Sequence, residues 1–577
     1  MLFVKDHSTG LLFDRWSHIG PKRRKLLDQG WPGVFRNYLL NALPVDRIAS
    51  RFTERTGRPS KEAHLMLGSL ILQQVHDLSE DDIQRAVAFN LEYQYALDTL
   101  DDSDASIYIS KRTFRNYRRI VEEEGLAPVI FGTLTDCLLR AFGVDPSRQR
   151  LDSTHILSNM RKLGRIRIFA AAIRKFLRAL KRTHGKEFTA NLSPEFAGRY
   201  LAKDSDGCFS RVKPSESSRT LEALSRDLLF LIETFSAHDA IARMQEYRML
   251  ERVLREQCTV TGEGADTTVT PKPAKAVSPD SLQNPSDPDA GYSAHKGQGY
   301  QAHIMETYQT GERDPKTPNL ITYVEVEGAH KHDSSALLPA IDAVTERNCR
   351  PERLVCDTHY GSDENVCTAA KQGVDVVAPV AGPAPAESLT VAHFSPDLHT
   401  GFVTRCPEGH APLSMRQTQK QRLIAAFPRK TCHACPRRRD CPVKLEKKAA
   451  YLRYDLPSLR CAVRRAEEHS PQFREEYRWR AGIEGTNSHL KSDLGMGRLR
   501  VRGMEAVRLA VMLKALGFNI LRCGRALKTR LCDPLAQFPE IFAPKSYPYP
   551  SIDKLYSRII GILKIFTPSP QKTFFAA

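Results

Sequence analysis

The sequence predicts an α/β protein that begins with an all-helical region, and three observations support this prediction. Apolar residues recur at helical spacing through most of residues 1–145. From about residue 299 onward, segments typical of strands alternate with segments typical of helices. Cysteines then cluster between residues 406 and 441, which predicts a small cysteine-rich insertion.

The size and charge of the chain limit the kind of protein it is. Its 577 residues exceed what one hydrophobic core organises, so we expect three or four structural units. Lys and Arg outnumber Asp and Glu by 85 to 67, and the formal net charge is +18. This balance favours a polyanionic partner, most often nucleic acid, although membranes and ribosomes also attract basic proteins. No run of 18 apolar residues and no signal-peptide layout is present, so we expect a cytoplasmic protein with no membrane partner.

Short helices are predicted in the N-terminal region. The segment "LSEDD" at 78–82 predicts an N-cap that opens a new helix. Ser110 is predicted to cap a further helix with outward-facing basic residues, namely Lys111, Arg112, Arg115, Arg118 and Arg119. Short helices with one basic member are typical of a helix-turn-helix DNA-binding module. A plain helical bundle with a charged surface explains the same pattern, and both interpretations stay open.

The pattern changes after residue 145. A short segment leads to Asp152 within "SRQRLDSTHILSNM", and helical patterns then continue to about residue 258. Residues 261–293 are dense in Pro, Gly, Ser and Asp, which predicts a turn-rich linker.

An α/β pattern follows this linker. "GYQAHIMETY" and "NLITYVEVEGA" read as strands, and "DSSALLPAIDAVTER" reads as a helix. Residues 351–380 then predict a strand, a loop, a helix and a second strand. Asp357 lies at the carboxyl end of the first of these strands, which is where open sheets carry functional groups. The alternative is that Asp357 only caps the next helix.

The cysteine cluster predicts a structural zinc site. Four cysteines are candidate ligands: Cys406, Cys432, Cys435 and Cys441. Four thiolates from two short segments suit tetrahedral zinc with no open position for chemistry. His410 or His433 could replace one cysteine, and free thiols are the alternative. Three neighbouring arginines, at 437–439, could meet phosphates.

The segment "YRWRAGIEGTNSHLK" at 477–491 predicts an unusual helix face. At about 100° per residue, one face carries Tyr477, Arg480, Glu484 and Lys491. An ordinary surface ion pair between Arg480 and Glu484 is the simpler interpretation. The glycines at 482 and 485 favour a close approach of backbone or ligand beside Glu484.

The spacing Y-x2-R-x3-E-x6-K in this segment resembles the signature of a large group of bacterial insertion-sequence transposases. "RLDSTHILSN" is similar to their first aspartate motif and "LVCDTHYGSDENV" to their second, and the cysteine cluster also has counterparts in one branch. These enzymes belong to the DDE superfamily, so the resemblance implies an RNase H-like mixed sheet with flanking helices. His359 is a departure, because relatives commonly have Gly before the tyrosine that follows the second aspartate.

The resemblance also implies roles for single residues. Asp152, Asp357 and Glu484 would form the catalytic triad and bind Mg²⁺ or Mn²⁺. Mg²⁺ is a hard cation that prefers carboxylates, and two such ions support an in-line phosphoryl displacement. The remaining signature residues would meet DNA near the scissile phosphate: Tyr477, Arg480 and Lys491.

We expect five regions along the chain. They are a helical DNA-binding domain (1–145), the first part of the catalytic domain (146–385) with a helical insertion at about 160–260, a cysteine-rich insertion (386–460), the rest of the catalytic domain (461–530) and a tail (531–577).

The expected function is transposition. The chain would cleave DNA at the ends of an element, join the 3′-hydroxyl to target DNA, and act as a dimer on DNA associated with the nucleoid. An RNase H-like nuclease without strand transfer and a domesticated, non-catalytic DNA-binding protein are the alternatives. The intact triad argues against the domesticated protein, because such a protein is free to lose its carboxylates.

Overall fold

The computed structural model describes residues 1–7, 15–53, 59–202, 209, 212–262, 264–382, 389–397 and 400–532. All but the first two residues of the predicted tail, 531–577, lie outside these ranges.

Helices dominate the N-terminal region, as the apolar periodicity predicts. They are α1 (Pro21–Asp28), α2 (Trp31–Val34), α3 (Ala63–Val75), α4 (Glu80–Phe89), α5 (Leu91–Ala96), α6 (Asp104–Ile107), α7 (Lys111–Glu123) and α8 (Ala127–Phe142). The predicted N-cap in "LSEDD" is confirmed, since Ser79 and Asp82 form a reciprocal capping box at the start of α4. Ser110 caps α7 by accepting a hydrogen bond from the Thr113 amide.

The basic helix α7 packs beside α4 and is partly neutralised by it. Arg115 and Arg118 both pair with Glu80, and Lys111 pairs with Asp81. The Arg118 side chain keeps only 20% of its surface exposed. The expected outward projection therefore does not hold for Arg118, and these ion pairs reduce the charge that α7 offers to DNA.

The central sheet contains strands β1 (Arg148–Ile156), β4 (Gly291–Ser293), β5 (Gly297–Thr307), β6 (Ile321–Gly328), β7 (Arg353–Cys356) and β8 (Asp375–Val377). Its main order is β6–β5–β1–β7–β8, and β4 extends it beside the start of β5. The pairs β6/β5 and β5/β1 are antiparallel, whereas β1/β7 and β7/β8 are parallel. Helices α15 (Leu337–Glu346) and α16 (Asp363–Lys371) connect these later strands. This arrangement confirms the RNase H-like mixed sheet.

The helical block between β1 and β4 has a hydrophobic core of its own. Its helices are α9 (Arg165–Thr183), α10 (Gly185–Asn191), α11 (Pro194–Leu201), α12 (Ser217–Phe235), α13 (Asp239–Ala242) and α14 (Gln245–Gln257). Phe176, Leu228 and Leu250 are completely buried there. The prediction of a turn-rich linker at 261–293 is wrong in part, because part of this segment packs against the helical block. The segment contributes to a hairpin of β2 (Cys258–Thr261) and β3 (Thr268–Pro271), and its Leu282 is buried in the core of the block.

The cysteine-containing segment folds as a small antiparallel sheet. Its elements are β9 (Ser414–Gln417), β10 (Leu423–Phe427), α17 (Arg429–His433), β11 (Lys444–Leu445) and β12 (Ala450–Tyr454). The strand order is β11–β12–β10–β9, and a separate small core includes Phe394 and Phe427. Helix α18 (Leu456–Glu467) leads back to the central sheet, where Arg464 donates hydrogen bonds to the carbonyls of Gly361 and Ala378.

The segment that carries Glu484 is helical but not one continuous α-helix. It consists of α19 (Pro471–Tyr477), a 3-10 turn (Arg478–Arg480) and α20 (Ala481–Ser492). The expectation of one regular face across residues 477–491 is therefore wrong at the turn. There, Arg150 of β1 donates a hydrogen bond to the Trp479 carbonyl over 2.7 Å, so the sheet holds the tightened backbone.

The last described helix, α21 (Met504–Cys532), joins the N-terminal helices to the sheet. One hydrophobic core runs through α3, α8, β5, β6 and α21. At the crossing with α3, a Cβ on Gly517 would lie 2.8 Å from the Val75 Cα, so only glycine allows this close approach.

Within the described residues, no single helix is both long and apolar enough to cross a membrane. Only the pair Asp104–Glu123 and Ala127–Phe142 reaches the length and composition of a span together, and the two are bent by 91°.

Candidate active site

Three carboxylates from separate elements meet around one arginine. Asp152 lies in the central strand β1, opposite Ile304 of β5, and Asp357 directly follows β7. The Arg480 Nη2 atom lies 3.5 Å from Asp152 Oδ1 and 3.7 Å from Asp357 Oδ2. Its Nη1 atom donates to Glu484 Oε1 over 2.8 Å. The fold therefore brings together three acidic residues that are far apart in the sequence.

Asp152 is the most buried of the three. Its side chain keeps 12% of its surface exposed, against 33% for Asp357 and 63% for Glu484. Burial raises the pKa of the Asp152 carboxyl, Arg480 opposes this rise, and the neighbouring Asp357 and Asp333 add to it. An ionised Asp152 is thus held in the fold at a net electrostatic cost.

Asp357 also caps a short turn. Its Oδ1 atom accepts a hydrogen bond from the Thr358 amide over 2.7 Å, at the start of the 3-10 turn Thr358–Tyr360. The capping role considered for this residue is therefore real. Its other oxygen, Oδ2, faces Arg480, so capping and a second function are compatible.

Asn487 is a site residue that the sequence gives no reason to select. Its Nδ2 atom donates to Asp152 Oδ2 over 3.3 Å, and its buried Oδ1 atom has no hydrogen-bond partner among the described residues. A buried amide oxygen of this kind beside Asp152 suits a hard divalent cation, which takes carboxylate and amide oxygens. The donor set at this place therefore fits Mg²⁺ or Mn²⁺.

The other signature residues lie beside the carboxylates. Burial raises the pKa of Tyr477 to about 12, and Asp357 and Asp152 are close enough to contribute. Tyr477 also stacks on Phe473 with 5.5 Å between the ring centroids. Burial and nearby Lys296 lower the pKa of Lys491, whereas Asp152 opposes that change. Both side chains are therefore within electrostatic range of Asp152.

A group of lysines surrounds His155, three residues beyond Asp152. Burial lowers the pKa of His155 to about 4, and Lys296, Lys491 and Lys162 contribute. Within the part of the chain that the structure describes, none of these three lysines forms an ion pair, and Lys296 alone forms a side-chain hydrogen bond, to Ser153 Oγ over 3.4 Å. We call Lys162, Lys296 and Lys491 the lysine cluster. Sequence reasoning selected Lys491 alone, because nothing in the sequence places the other two beside it.

A buried charge network fixes α20 against the sheet. Glu306 of β5 is completely buried and lies 2.6 Å from Arg150 and 2.7 Å from Arg522. Thr486 of α20 donates to Glu306 over 2.9 Å and accepts from Arg522 over 2.7 Å. The same Arg150 explains Gly482, since a Cβ there would overlap the guanidinium. This network therefore positions the helix that carries Glu484.

A second network lies behind Asp357. The Tyr360 hydroxyl lies 2.7 Å from His303 Nδ1, and His303 Nε2 lies 2.8 Å from Glu327. Tyr360 and His303 are completely buried. His359, the departure from the family pattern, is exposed and packs edge-on against His332. The unusual histidine therefore lies outside the buried part of this loop.

The cysteine module brings its four candidate ligands to one small cavity. Cys406, Cys432, Cys435, Cys441 and His410 line it. Burial raises the pKa of the Cys432 and Cys441 thiols, and the neighbouring thiols add to the rise. His433 is exposed and does not line the cavity. Of the three arginines, Arg437 pairs with Glu408 and Arg438 donates to the Val443 carbonyl.

An RNase H-like sheet with two aspartates on adjacent parallel strands and a glutamate on a following helix defines the DDE class of DNA-processing enzymes. Comparison with protein families agrees with this class. Residues 405–523 match the family described as "Transposase DDE domain", and residues 26–119 match "Transposase domain (DUF772)". Two separate parts of the chain therefore match transposase domains, and one of these domains is of the DDE class. The first match contains the cysteine module and Glu484, whereas Asp152 and Asp357 lie outside it. A search of curated proteins found no match.

Proposed function

We propose that this transposase cleaves DNA at the ends of its element and joins the freed 3′-hydroxyl to target DNA. The observation that carries the proposal is the meeting of Asp152, Asp357 and Glu484 around Arg480. Structural ion pairs rarely gather three carboxylates on one guanidinium, because the like charges repel one another. Such a cluster in an RNase H-like sheet is better explained by a role in phosphoryl transfer.

The three carboxylates would hold Mg²⁺ or Mn²⁺, and the Asn487 oxygen is a further candidate ligand. When bound, such ions activate the attacking oxygen and stabilise the leaving oxygen in an in-line displacement. In the free protein Arg480 offsets part of the negative charge of the three carboxylates. The buried network around Glu306 holds α20, and through it Glu484, in register with β1.

Basic residues beside the carboxylates would hold the DNA backbone. Arg480 suits bidentate recognition of a phosphate, and Lys491 supplies a point charge. The lysine cluster, which has no ion pair among the described residues, extends this basic surface next to Asp152. A Cβ at Gly485 would meet nothing within 4 Å, so that side of α20 is open to a ligand. Tyr477 would complete the DNA-facing surface.

Joining two ends in one event needs two active sites, so we propose a dimer on DNA.

A single assay tests this function. The full chain is incubated with duplexes that carry the element's ends, a target duplex and Mg²⁺ or Mn²⁺. We expect cleavage and strand transfer that disappear on chelation. Asp152→Asn, Asp357→Asn and Glu484→Gln should each lose about 10³-fold or more in rate, equivalent to about 4 kcal/mol, while still binding DNA. Cleavage without joining would indicate a nuclease, and binding without cleavage would indicate a domesticated protein.

We also propose that the cysteine module holds one structural zinc ion through Cys406, Cys432, Cys435 and Cys441. The shared cavity supports this assignment. His410 lines the cavity and is the candidate to replace a cysteine, whereas His433 does not line it. Metal analysis should show that Cys435→Ser loses one zinc ion per chain and that His433→Ala keeps it. Equal zinc content in both variants would contradict the site.

A further inference from the structure

A compact group of potential metal ligands lies far along the chain from both sites described so far. It consists of His7 in the N-terminal segment and of Glu62 and His64 at the start of α3. Each offers one ligand atom, and these atoms all lie within 4.8 Å of one another. Among the residues that the structure describes, this is the one group of three or more His, Cys, Asp or Glu side chains that meets this distance.

The group is buried and has an unused coordinating atom. The side chains of His7, Glu62 and His64 expose 3%, 8% and 8% of their surfaces. The His7 Nε2 atom is buried, has no hydrogen-bond partner among the described residues and lies 3.8 Å from Glu62 Oε2. His64 Nδ1 lies 3.0 Å from Glu62 Oε1. Tetrahedral zinc with nitrogen and oxygen ligands needs ligand atoms about 3.3 Å apart, so small adjustments would close the site.

Asp98 contacts the ring nitrogen of His7 that does not face Glu62. Its Oδ2 atom lies 2.9 Å from His7 Nδ1, which leaves Nε2 directed at Glu62. A carboxylate on the far nitrogen of a ligating histidine fixes the ring and raises its basicity. Asp98 has its own counterions in Lys5 and Arg36, so it can take this positioning role without further neutralisation.

We propose that His7, Glu62 and His64 bind a divalent transition metal of the zinc type. Imidazole nitrogens and one carboxylate are a ligand set that suits Zn²⁺, and the fourth position would be filled by water. A cavity lined by Lys5, His7, Glu62 and Asp98 gives access to the group.

The metal would tie the N-terminal segment to α3. Already without it, Phe3 bridges to Glu62, and the Lys5 amide donates to Glu62 Oε1 over 3.1 Å. The bound ion would add a direct link from His7 to the first turn of a helix at the centre of the main core. Its role is therefore structural, and it is independent of DNA cleavage.

The test counts metal ions on the full chain. Protein stripped by a chelator is titrated with Zn²⁺ alone, and bound metal is measured per chain. Two tight sites are expected in the natural chain, one here and one at the cysteines. His7→Gln and His64→Gln should each retain only the cysteine site, and Cys435→Ser should retain only this one. His18→Gln is the matched control, since His18 is an exposed histidine of the same region whose Nδ1 forms a hydrogen bond with the Arg15 carbonyl.

Cobalt gives a second readout that does not depend on how well the histidine variants fold. In Cys435→Ser, bound Co²⁺ should show visible absorption without the intense thiolate charge-transfer bands. Zn²⁺ should raise the melting temperature of Cys435→Ser. Equal metal content in the natural chain, His7→Gln and His64→Gln would overturn the proposal. So would a Cys435→Ser protein that binds neither Zn²⁺ nor Co²⁺.

Discussion

At the scale of single residues, Arg480 determines the electrostatics of the candidate active site. It contacts Asp152, Asp357 and Glu484 together, so the surface ion pair considered as the simpler interpretation exists as one part of a larger cluster. Opposing effects act on the pKa of Asp152: burial and the other aspartates raise it, and Arg480 lowers it. The protonation of Asp152 therefore depends on where Arg480 lies.

The pH dependence of metal binding tests this relation. Asp152 must lose its proton to act as a ligand, and its pKa is raised, so Mn²⁺ affinity should fall on acidification at a pH above the ordinary aspartate range. In Arg480→Ala the opposing influence is gone, so the loss of affinity should begin at a higher pH. Mn²⁺ titration followed by electron paramagnetic resonance measures both curves.

Arg478→Ala is the control for this experiment. Arg478 is an exposed neighbour that pairs with Glu475 and touches none of the three carboxylates. Arg478→Ala should not change the pH at which Mn²⁺ affinity begins to fall. If this pH is the same in the natural chain and in Arg480→Ala, Arg480 does not control the pKa of Asp152.

Lys491 gives a prediction about DNA binding. If its ammonium meets a phosphate, Lys491→Ala should weaken binding to all sequences alike. The slope of log K against log salt should also fall by about one unit, since one counterion fewer is released. Lys491→Arg keeps the charge and should keep the slope. Fluorescence anisotropy over a range of salt concentrations measures this, and an unchanged slope in Lys491→Ala would exclude the contact.

At the scale of elements, the Glu306 network links β1, β5, α20 and α21. Glu306→Gln removes the charge that two buried arginines share, and breaking a buried pair in this way costs about 3–5 kcal/mol. Hydrogen exchange of the α20 amides should accelerate by about 10²-fold or more. Glu505→Gln breaks only an exposed i,i+3 pair with Arg508 and should change exchange little. Similar hydrogen exchange in the two variants would show that the Glu306 network does not hold α20 in place.

The elements themselves were largely predictable from local patterns, whereas their polar connections were not. Strands β5, β6 and β7 and the helices of the N-terminal region follow from period and capping, which short stretches of sequence record. Nothing in the segment "GYQAHIMETY" singles out Glu306, because its partners Arg150 and Arg522 lie more than a hundred residues away on either side. The break at Arg478–Arg480 escaped prediction for the same reason, since Arg150 holds it.

Within the candidate site, the signature and aspartate motifs pointed to residues that the fold does bring together. Asn487, Lys162 and Lys296 escaped selection because single Asn and Lys residues carry no distinctive spacing. The proposed metal-binding group was also missed, because Glu62 and His64 stand out as possible ligands only once the fold places His7 beside them. The resemblance selected residues that the fold brings together, whereas their polar neighbours could be recognised only in the folded chain.

At the scale of the whole molecule, the N-terminal helices and the catalytic sheet share one hydrophobic core. Gly517 of α21 marks the closest crossing, against Val75 of α3. Gly517→Ala would force these helices apart, and overpacking of this kind costs about 1–3 kcal/mol. We expect faster hydrogen exchange in α3 and α21 together, because one contact serves both.

Gly198→Ala is the matched substitution, since a Cβ there meets nothing within 4 Å on helix α11. It should stabilise its helix by up to about 1 kcal/mol through helix propensity. If Gly517→Ala leaves hydrogen exchange in α3 unchanged, the packing of α21 against α3 does not couple the stability of the two helices.

Arg480 also implies thermodynamic coupling between DNA and metal. One guanidinium cannot satisfy the carboxylates and a DNA phosphate at once, so a phosphate that draws Arg480 away frees the acidic cluster for a cation. A bound cation in turn releases Arg480 toward the phosphate. Reciprocity requires that each ligand strengthen the other by the same factor. If the proposed metal and DNA sites are correct, the free protein would hold its metal weakly and become competent for chemistry only once DNA is bound.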